Sequence, residues 1–317
     1  MDYGPQTKDV CGLFFVFPLY VVMKEERRKN SLRYNPSMSE LHPVDYLLIG
    51  HVAVDITPAG NQLGGTVSYA ALTAKAMGLR VGIVTSAGAD ALLHLLNGIQ
   101  IFNIPTERST VFENVYTEQG RKQTLHHQAA LIKFENIPQI WRDAPIVHLA
   151  PIAQEVDTAM ADKFPSSWVG VTPQGWMRDW DENGSVFAKA WANSEQVLGQ
   201  VGGVVMSLED IDRDLELVEW MAHHTRLLCL TEGEQGAVLH WHGDRRRFRP
   251  PSVDEVDATG AGDIFTAGFF VRLHETRDPW EAARFATNLA AYSVTRAGLN
   301  GIPTRAEIEH CKMEVLS

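Results

Sequence analysis

The alternation of short apolar runs with longer stretches of helical period constrains the fold of this chain more than any other feature. Past Met38, the runs Tyr46–Ile49, Val81–Thr85, Ile146–Leu149, Val169–Val171, Val204–Met206 and Leu227–Leu230 are apolar almost without interruption. Strands covered on both faces read this way. Between the first two, Thr66 to Met77 places Val67, Ala70, Ala71, Ala74 and Met77 at helical spacing, and Gly78 stands ready to end the helix. A later helix opens at Asp278-Pro279-Trp280-Glu281, which supplies an N-cap, a proline at the first helical position and a glutamate for a capping box. The pattern implies an α/β sandwich with a mainly parallel central sheet. No repeat, low-complexity tract or linker divides it, and 317 residues can bury one large core. One domain is therefore expected over residues 38–317.

Composition narrows the function. A formal charge of −11 opposes non-specific nucleic-acid binding, which needs Lys and Arg to neutralise phosphates. The run Arg245-Arg246-Arg247-Phe248-Arg249 follows the turn Trp241-His242-Gly243-Asp244 and reads as a solvated hairpin arm. Cys11, Cys229 and Cys311 are far apart, so no disulfide framework is expected and a reducing cytoplasm is the default. The pairs His126-His127 and His223-His224 are adjacent, so their side chains diverge and a shared metal is not expected. Residues 1–37 depart from the rest: the apolar run Cys11–Met23 is too short to span a bilayer and precedes its charges rather than following them. They are read as an extension outside the fold, with no membrane partner.

The chemistry concentrates at Asp257-Ala258-Thr259-Gly260-Ala261-Gly262-Asp263, with the apolar run Ile264–Phe270 directly behind it. Small residues at a helix start let an anion approach backbone N–H groups at the positive end of the helix dipole. Asp263 adds a carboxylate beside that anion hole, and a base next to developing negative charge is what phosphoryl transfer to a hydroxyl requires. Neither a G-x-x-x-x-G-K-[ST] loop nor a third glycine of a dinucleotide fingerprint is present, which leaves a nicotinamide enzyme a distant rival. A second local signal is Ser109 to His126, which alternates loosely around Glu118-Gln119-Gly120-Arg121. That is a β-hairpin pattern, equally compatible with a surface hairpin and with a lid.

The seven residues 257–263 match the D-x-T-G-A-G-D signature of the ribokinase/PfkB carbohydrate kinase family, and the resemblance extends over roughly residues 45–305. It implies a ribokinase-like three-layer αβα sandwich with a small β-lid contributed by about 56–64 and 109–127. On this resemblance Asp263 is the catalytic base, Gly260, Ala261 and Gly262 form the anion hole, and Arg178 faces the transferring phosphate. Asp55, Asn61, the Gly64-Gly65 turn and Gln174 would hold the acceptor, and His51 either touches it or satisfies local backbone. Thr231, Gly233 and Gly236 of Thr231-Glu232-Gly233-Glu234-Gln235-Gly236 correspond to the nucleotide loop, with Asn288 on the adenine side. ATP and Mg²⁺ are the implied cofactors, with a monovalent cation such as K⁺ as a further one, and a homodimer through the lid is the implied assembly.

Departures from the family pattern matter as much. Ser207 and Asp210 stand where N-x-x-E is usual, so Asp210, or else Glu209, would organise the magnesium. The asparagine that often follows the Gly-Gly pair is absent, with Ser68 and Tyr69 in its place, and the segment after Asp90 is short. The Gly50–Asp55 stretch, the Leu63-Gly64-Gly65 turn, Pro151–Val156 and Gln174–Arg178 are most similar to the myo-inositol kinase branch. ATP-dependent phosphorylation of a sugar or polyol, myo-inositol first, is the expected activity. The alternatives are a nucleoside kinase, for which Phe102, Phe112 or Tyr116 would clamp the base, and a non-catalytic regulatory protein of the same fold.

Overall fold

The computed structural model describes Met1 and residues 40–117 and 120–313. Apart from Met1, the extension expected over 1–37 lies outside the described residues, as do Glu118 and Gln119 of the hairpin turn. The first strands are β1 (Tyr46–Ile49), β2 (Ala53–Thr57), β3 (Gly60–Gly64), β4 (Val81–Ala87) and β5 (Gln100–Pro105). Next come β6 (Thr110–Thr117), β7 (Gly120–His127), β8 (Ile146–Leu149), β9 (Trp168–Val171), β10 (Arg178–Trp180) and β11 (Val186–Ala188). The last are β12 (Gly203–Ser207), β13 (Leu227–Thr231), β14 (Ala237–Trp241) and β15 (Asp244–Phe248). The helices are α1 (Thr66–Ala76), α2 (Ser194–Gln200), α3 (Leu215–His224), α4 (Ala261–Thr276), α5 (Pro279–Ser293) and α6 (Arg305–Met313).

Nine strands form the central sheet in the order β15-β14-β13-β12-β9-β8-β1-β4-β5. From β13 to β5 every neighbour is parallel, and β14 and β15 extend one edge antiparallel. All six expected strands lie in this sheet. The period of two divides β1 between two cores: Tyr46 and Leu48 enter one, Leu47 and Ile49 the other. The first core is covered by α1, α4 and α5 through Val67, Ala70, Phe269, Phe270, Ala282 and Ala286. The second is covered by α2, α3 and short 3₁₀ turns, which contribute Val197, Leu198, Met221, Trp141 and Trp176. The result is the three-layer sandwich.

Local sequence explains the helix ends. Gly78, at φ 96°, closes α1 by donating its N–H to the Lys75 carbonyl. Asp278 caps α5, its carboxylate accepting the N–H groups of Trp280 and Glu281 at 2.9 and 3.2 Å. Glu281 does not complete the expected capping box. Its carboxylate accepts from Arg272 of α4 at 2.8 and 3.0 Å, because the neighbouring helix offers a guanidinium and a charge-assisted bond outcompetes a neutral amide.

The segments expected to contribute a lid form a separate four-stranded sheet, ordered β3-β2-β6-β7. Parallel pairing of β2 with β6 joins two antiparallel hairpins. Because β2 begins at Ala53, Asp55 belongs to this small sheet rather than to the mouth of β1. The free edge of β7 is tied to the β10–β11 turn, where the Leu125 N–H donates to Gly184 O at 2.8 Å. At the opposite edge of the molecule the arginine arm is β15, as the turn pattern implied. Arg246 lies 4.2 Å over the Trp280 ring, Arg247 pairs with Glu232, and Arg245 is 3.9 Å from Glu219, so protein groups accompany this charge. His126 bonds Glu113 and His127 bonds the Ser109 carbonyl, and the rings diverge as expected. Among the described residues no helix is long and apolar enough to cross a membrane.

Candidate active site

A cleft of about 1380 Å³ runs between the small sheet and the carboxyl ends of the central strands, where open α/β sheets bind ligands. The segments that follow β1, β9, β12 and β13 all reach it, as does the amino end of α4. Gly260, the residue before α4, has φ 78°, and a Cβ there would stand 2.2 Å from Cδ1 of Tyr69, so the turn excludes any side chain. The space beside Gly262 is open toward the cleft. Ala261 N–H donates to the Ala258 carbonyl at 3.1 Å, which removes it from the anticipated anion hole. The amides of Gly262 and Asp263 are the first-turn donors left without an intrahelical acceptor.

The two aspartates of the motif have opposite environments. Asp257 accepts the N–H of Thr259 at 2.9 Å and that of Gly298 at 2.8 Å. Burial alone would raise its pKa, yet these hydrogen bonds hold it below the usual carboxylate value. It is a structural tie. Asp263 lies at the floor of the cleft, and burial pushes its pKa up to about 6. A Thr66 hydrogen bond and Arg178 oppose that rise, whereas the Asp55 and Asp210 charges add to it. A carboxylate with a pKa near 6 is ionised at neutral pH and basic enough to share a hydroxyl proton.

Facing Asp263, Asp55 projects from β2, and its carboxylate lies against the backbone of Gly64, where a Cβ would come within 2.2 Å of Oδ2. Gly65 (φ 87°) turns the chain into α1 beneath it. Asn61 does not line the cleft. Register pairs Asp55 with Gln62, so alternation sets Gln62 beside Asp55 on the cleft and turns Asn61 away from that row. Arg178 and Gln174 both line the cleft, and Gln174 Nε2 donates to Asp210 Oδ1 at 3.1 Å. Gln154 Nε2 holds the Arg178 carbonyl at 2.6 Å. His51 is fully buried and bonds Thr110 Oγ1 and the Ala130 carbonyl, so its ring satisfies local structure. Beside it, buried Glu155 accepts the N–H groups of His51, Ile152 and Ala153 and fastens the β1 and β8 ends together.

Asp210 points back to its own helix start, where Oδ2 accepts the Ser207 N–H at 3.1 Å, and it lines the cleft near Asp263. Glu209 also lines the cleft, but its side chain is largely exposed and pairs with Arg213 at 3.4 Å. One carboxylate with water and phosphate oxygens suits Mg²⁺, and among the described residues no cluster of three or more ligating side chains competes for it. At the donor end Thr231, Gly233 and Gly236 line the cleft, and a Cβ on Gly236 (φ 88°) would stand 2.0 Å from the Phe248 carbonyl. Asn288 is not part of the wall. Thr287, one residue earlier on α5, takes that place with Ala290, Ala291 and Val294, because only one side of a helix meets the cleft. Phe102 lies in β5 against the second core and does not line the cleft, whereas Phe112 does. Tyr116 is in β6. Thr66, Gln62, Asn114, Gln123 and Phe187 are cleft residues that sequence pattern missed, and only the period of two in 109–126 held a trace of any of them.

Residues 188–305 match the pfkB family carbohydrate kinase. The chain carries a pfkB-family carbohydrate kinase domain. A cytidine kinase of Thermococcus kodakarensis is 26% identical over 272 residues, which cover 78% of this chain and 95% of that protein. Among solved structures, a pyrophosphate-dependent kinase in the ribokinase family, complexed with a pyrophosphate analog and myo-inositol, superposes with TM-score 0.70 at 20% identity. The match covers 84% of this chain and 99% of that one. The Arabidopsis thaliana ribokinase complexed with ribose and ATP gives TM-score 0.65 at 17% identity, over 86% and 99% of the two chains. The fold is ribokinase-like. The pfkB-family domain is a phosphotransferase of the sugar and nucleoside kinase type.

Proposed function

We propose that this domain transfers the γ-phosphoryl group of ATP to a hydroxyl of a small polyhydroxylated acceptor, with Asp263 as the base. The observation that carries this reading is the pairing of a carboxylate of raised pKa with the orphan amides of Gly262 and Asp263 at one helix start. Asp263 accepts the hydroxyl proton as the oxygen attacks phosphorus. The first-turn amides and Arg178 stabilise charge on the transferring oxygens, and preorganised donors in a water-poor cleft are effective at this. Asp55 and Gln62 orient the acceptor, which converts an encounter into an aligned approach. Asp210 would hold Mg²⁺, which neutralises phosphate charge when bound. The small sheet acts as the lid, and its position over the cleft limits competition from water.

ATP rather than pyrophosphate is favoured by the apolar residues Pro250, Val253, Ala290, Ala291 and Val294 in the cleft wall, which a pyrophosphate has no group to cover. The acceptor readings differ in their support. The likeness of the Gly50–Asp55 and Gln174–Arg178 segments to the inositol kinase branch supports myo-inositol. The end-to-end similarity to a cytidine kinase supports a nucleoside. The test is phosphoryl transfer from ATP or pyrophosphate, with Mg²⁺, to myo-inositol, ribose, fructose, cytidine and adenosine. Transfer from ATP to one acceptor, lost in Asp263→Asn, is the expected result. Transfer that survives in Asp263→Asn overturns the assignment of the base.

A further inference from the structure

The cleft face of the small sheet carries two rows of side chains. The inner row is Gln62, Asp55 and Phe112, aligned by register across β3, β2 and β6. Two residues further out on β6, about 7 Å along the strand, Asn114 stands directly opposite Gln123 of β7. Both line the cleft and both are half-buried. Gln123 Nε2 donates to Asn114 Oδ1 at 2.9 Å.

That bond leaves the pair one amide NH₂ and one amide carbonyl for a further partner. Asn114 presents its NH₂ group and Gln123 its carbonyl, side by side on one surface. A polyol gains little from such an arrangement, because each hydroxyl can rotate to donate or accept. A nucleobase edge does gain, because an acceptor such as cytosine N3 or adenine N1 lies rigidly beside an amino donor in the same plane. The surroundings agree: Phe112 of the inner row and Phe187 both line the cleft. Phe187 is 52% exposed, a large apolar surface at the mouth of the cleft that a flat ring would cover.

We propose that the acceptor is a nucleoside, with its sugar hydroxyls on Asp55, its reacting hydroxyl at Asp263 and its base edge on the Asn114–Gln123 pair. This rests on the kinase reading above. The hydroxyl oxygen forms the new bond to Pγ as the β,γ-bridging bond of ATP breaks. ADP leaves, and the hydroxyl proton passes to Asp263.

Two measurements on the full chain test it. In turnover with ATP and Mg²⁺, kcat/KM for cytidine or adenosine should exceed that for ribose and myo-inositol by about 100-fold or more, as expected where a site hydrogen-bonds a group the competitor lacks. Asn114→Ala and Gln123→Ala should each reduce that ratio at least tenfold. In calorimetric titration of Asp263→Asn loaded with MgADP, a nucleoside should bind, and adding either amide substitution should weaken it. Equal use of myo-inositol and nucleosides overturns the nucleoside proposal while leaving the kinase intact. An unchanged nucleoside preference in both amide variants overturns the role of the pair. If no acceptor is phosphorylated, the kinase reading fails, and the titration still decides whether the cleft reads a base.

Discussion

The two ends of the cleft are built on different principles. The end proposed to bind phosphate is the start of a helix buried nearly all round, so its geometry is enforced by backbone and core packing: Gly260 against Tyr69, Phe269 and Phe270 beneath the sheet. The acceptor end is the open face of a four-stranded sheet, where side chains alone decide what is recognised. Packing makes the first end intolerant of change, and alternation makes the second divisible into residues that matter and neighbours that do not. Chemistry that the whole family shares can sit on the rigid end, while specificity can vary on the sheet.

The largest effect should follow a change at the rigid end that removes charge without altering shape. Asp263→Asn should lower kcat by about 10²–10⁴, the usual worth of general-base assistance. Nucleotide affinity, measured by titration, should stay close to wild type. The same substitution should stabilise the fold. The native pKa of about 6 lies above the unfolded value of 3.8, so the folded state binds more protons between those two values. Stability from this group is therefore present at low pH and lost as pH rises through 6. At neutral pH the asparagine variant escapes that loss, a gain on the order of 1–3 kcal/mol after allowance for partial exposure. The wild-type kcat/KM should rise as pH increases through about 6. A flat profile, or an unchanged thermal midpoint in the variant, would argue that Asp263 does not carry the raised pKa.

Gly236→Ala probes the rigid end by shape alone. The added methyl meets the Phe248 carbonyl and must adopt a positive φ, so a cost of about 1–3 kcal/mol in stability is expected. ATP affinity should fall with it, because the donor loop must shift. Gly262→Ala meets no protein atom. It should leave the unfolding free energy within about 0.5 kcal/mol of wild type and reduce phosphoryl transfer only, since its methyl occupies space reserved for the phosphate. Equal melting losses in the two variants would erase the distinction between packing and ligand space.

How much of this was legible in the sequence follows the same division. The central strands and the Asp257–Asp263 turn were readable, because continuous apolar runs and small residues at a helix start have local causes. Partner choice was not. Glu281 reads as a capping residue, yet it binds Arg272, which arrives from another helix. Asn61 and Asn288 were each one position from the residue that faces the cleft, Gln62 and Thr287 respectively. Register and helix rotation set that choice, and both depend on distant neighbours. Of the three aromatic candidates, Phe102 belongs to the core for the same reason, since its strand is in the large sheet and not the small one.

The two carboxylates proposed for Mg²⁺ sharpen the comparison at an intermediate scale. Both line the cleft, but Asp210 is held there by Ser207 and Gln174, whereas Glu209 is largely exposed and paired with Arg213. Asp210→Asn should raise the Mg²⁺ concentration needed for half-maximal activity about tenfold, and direct titration with Mn²⁺ and ATP should show the same weakening. Glu209→Gln should move neither by more than about twofold, because an exposed ion pair contributes little. The reverse order would make Glu209 the metal residue and Asp210 a helix cap only.

The smallest effects belong to the sheet, where they are also the most discriminating. Gln62→Ala removes one hydrogen bond from the acceptor row beside Asp55, and the expected loss is about 1 kcal/mol, or roughly a fivefold rise in acceptor KM with kcat little changed. Asn61→Ala, one residue away on the outer face, should leave both constants within error. The two residues share a strand, an exposed setting and nearly the same chemistry, so only the pleat separates them. Comparable effects at both positions would mean that the small sheet does not present Gln62 to the acceptor, and the division of the cleft into a packed end and a patterned end would fail at its patterned half.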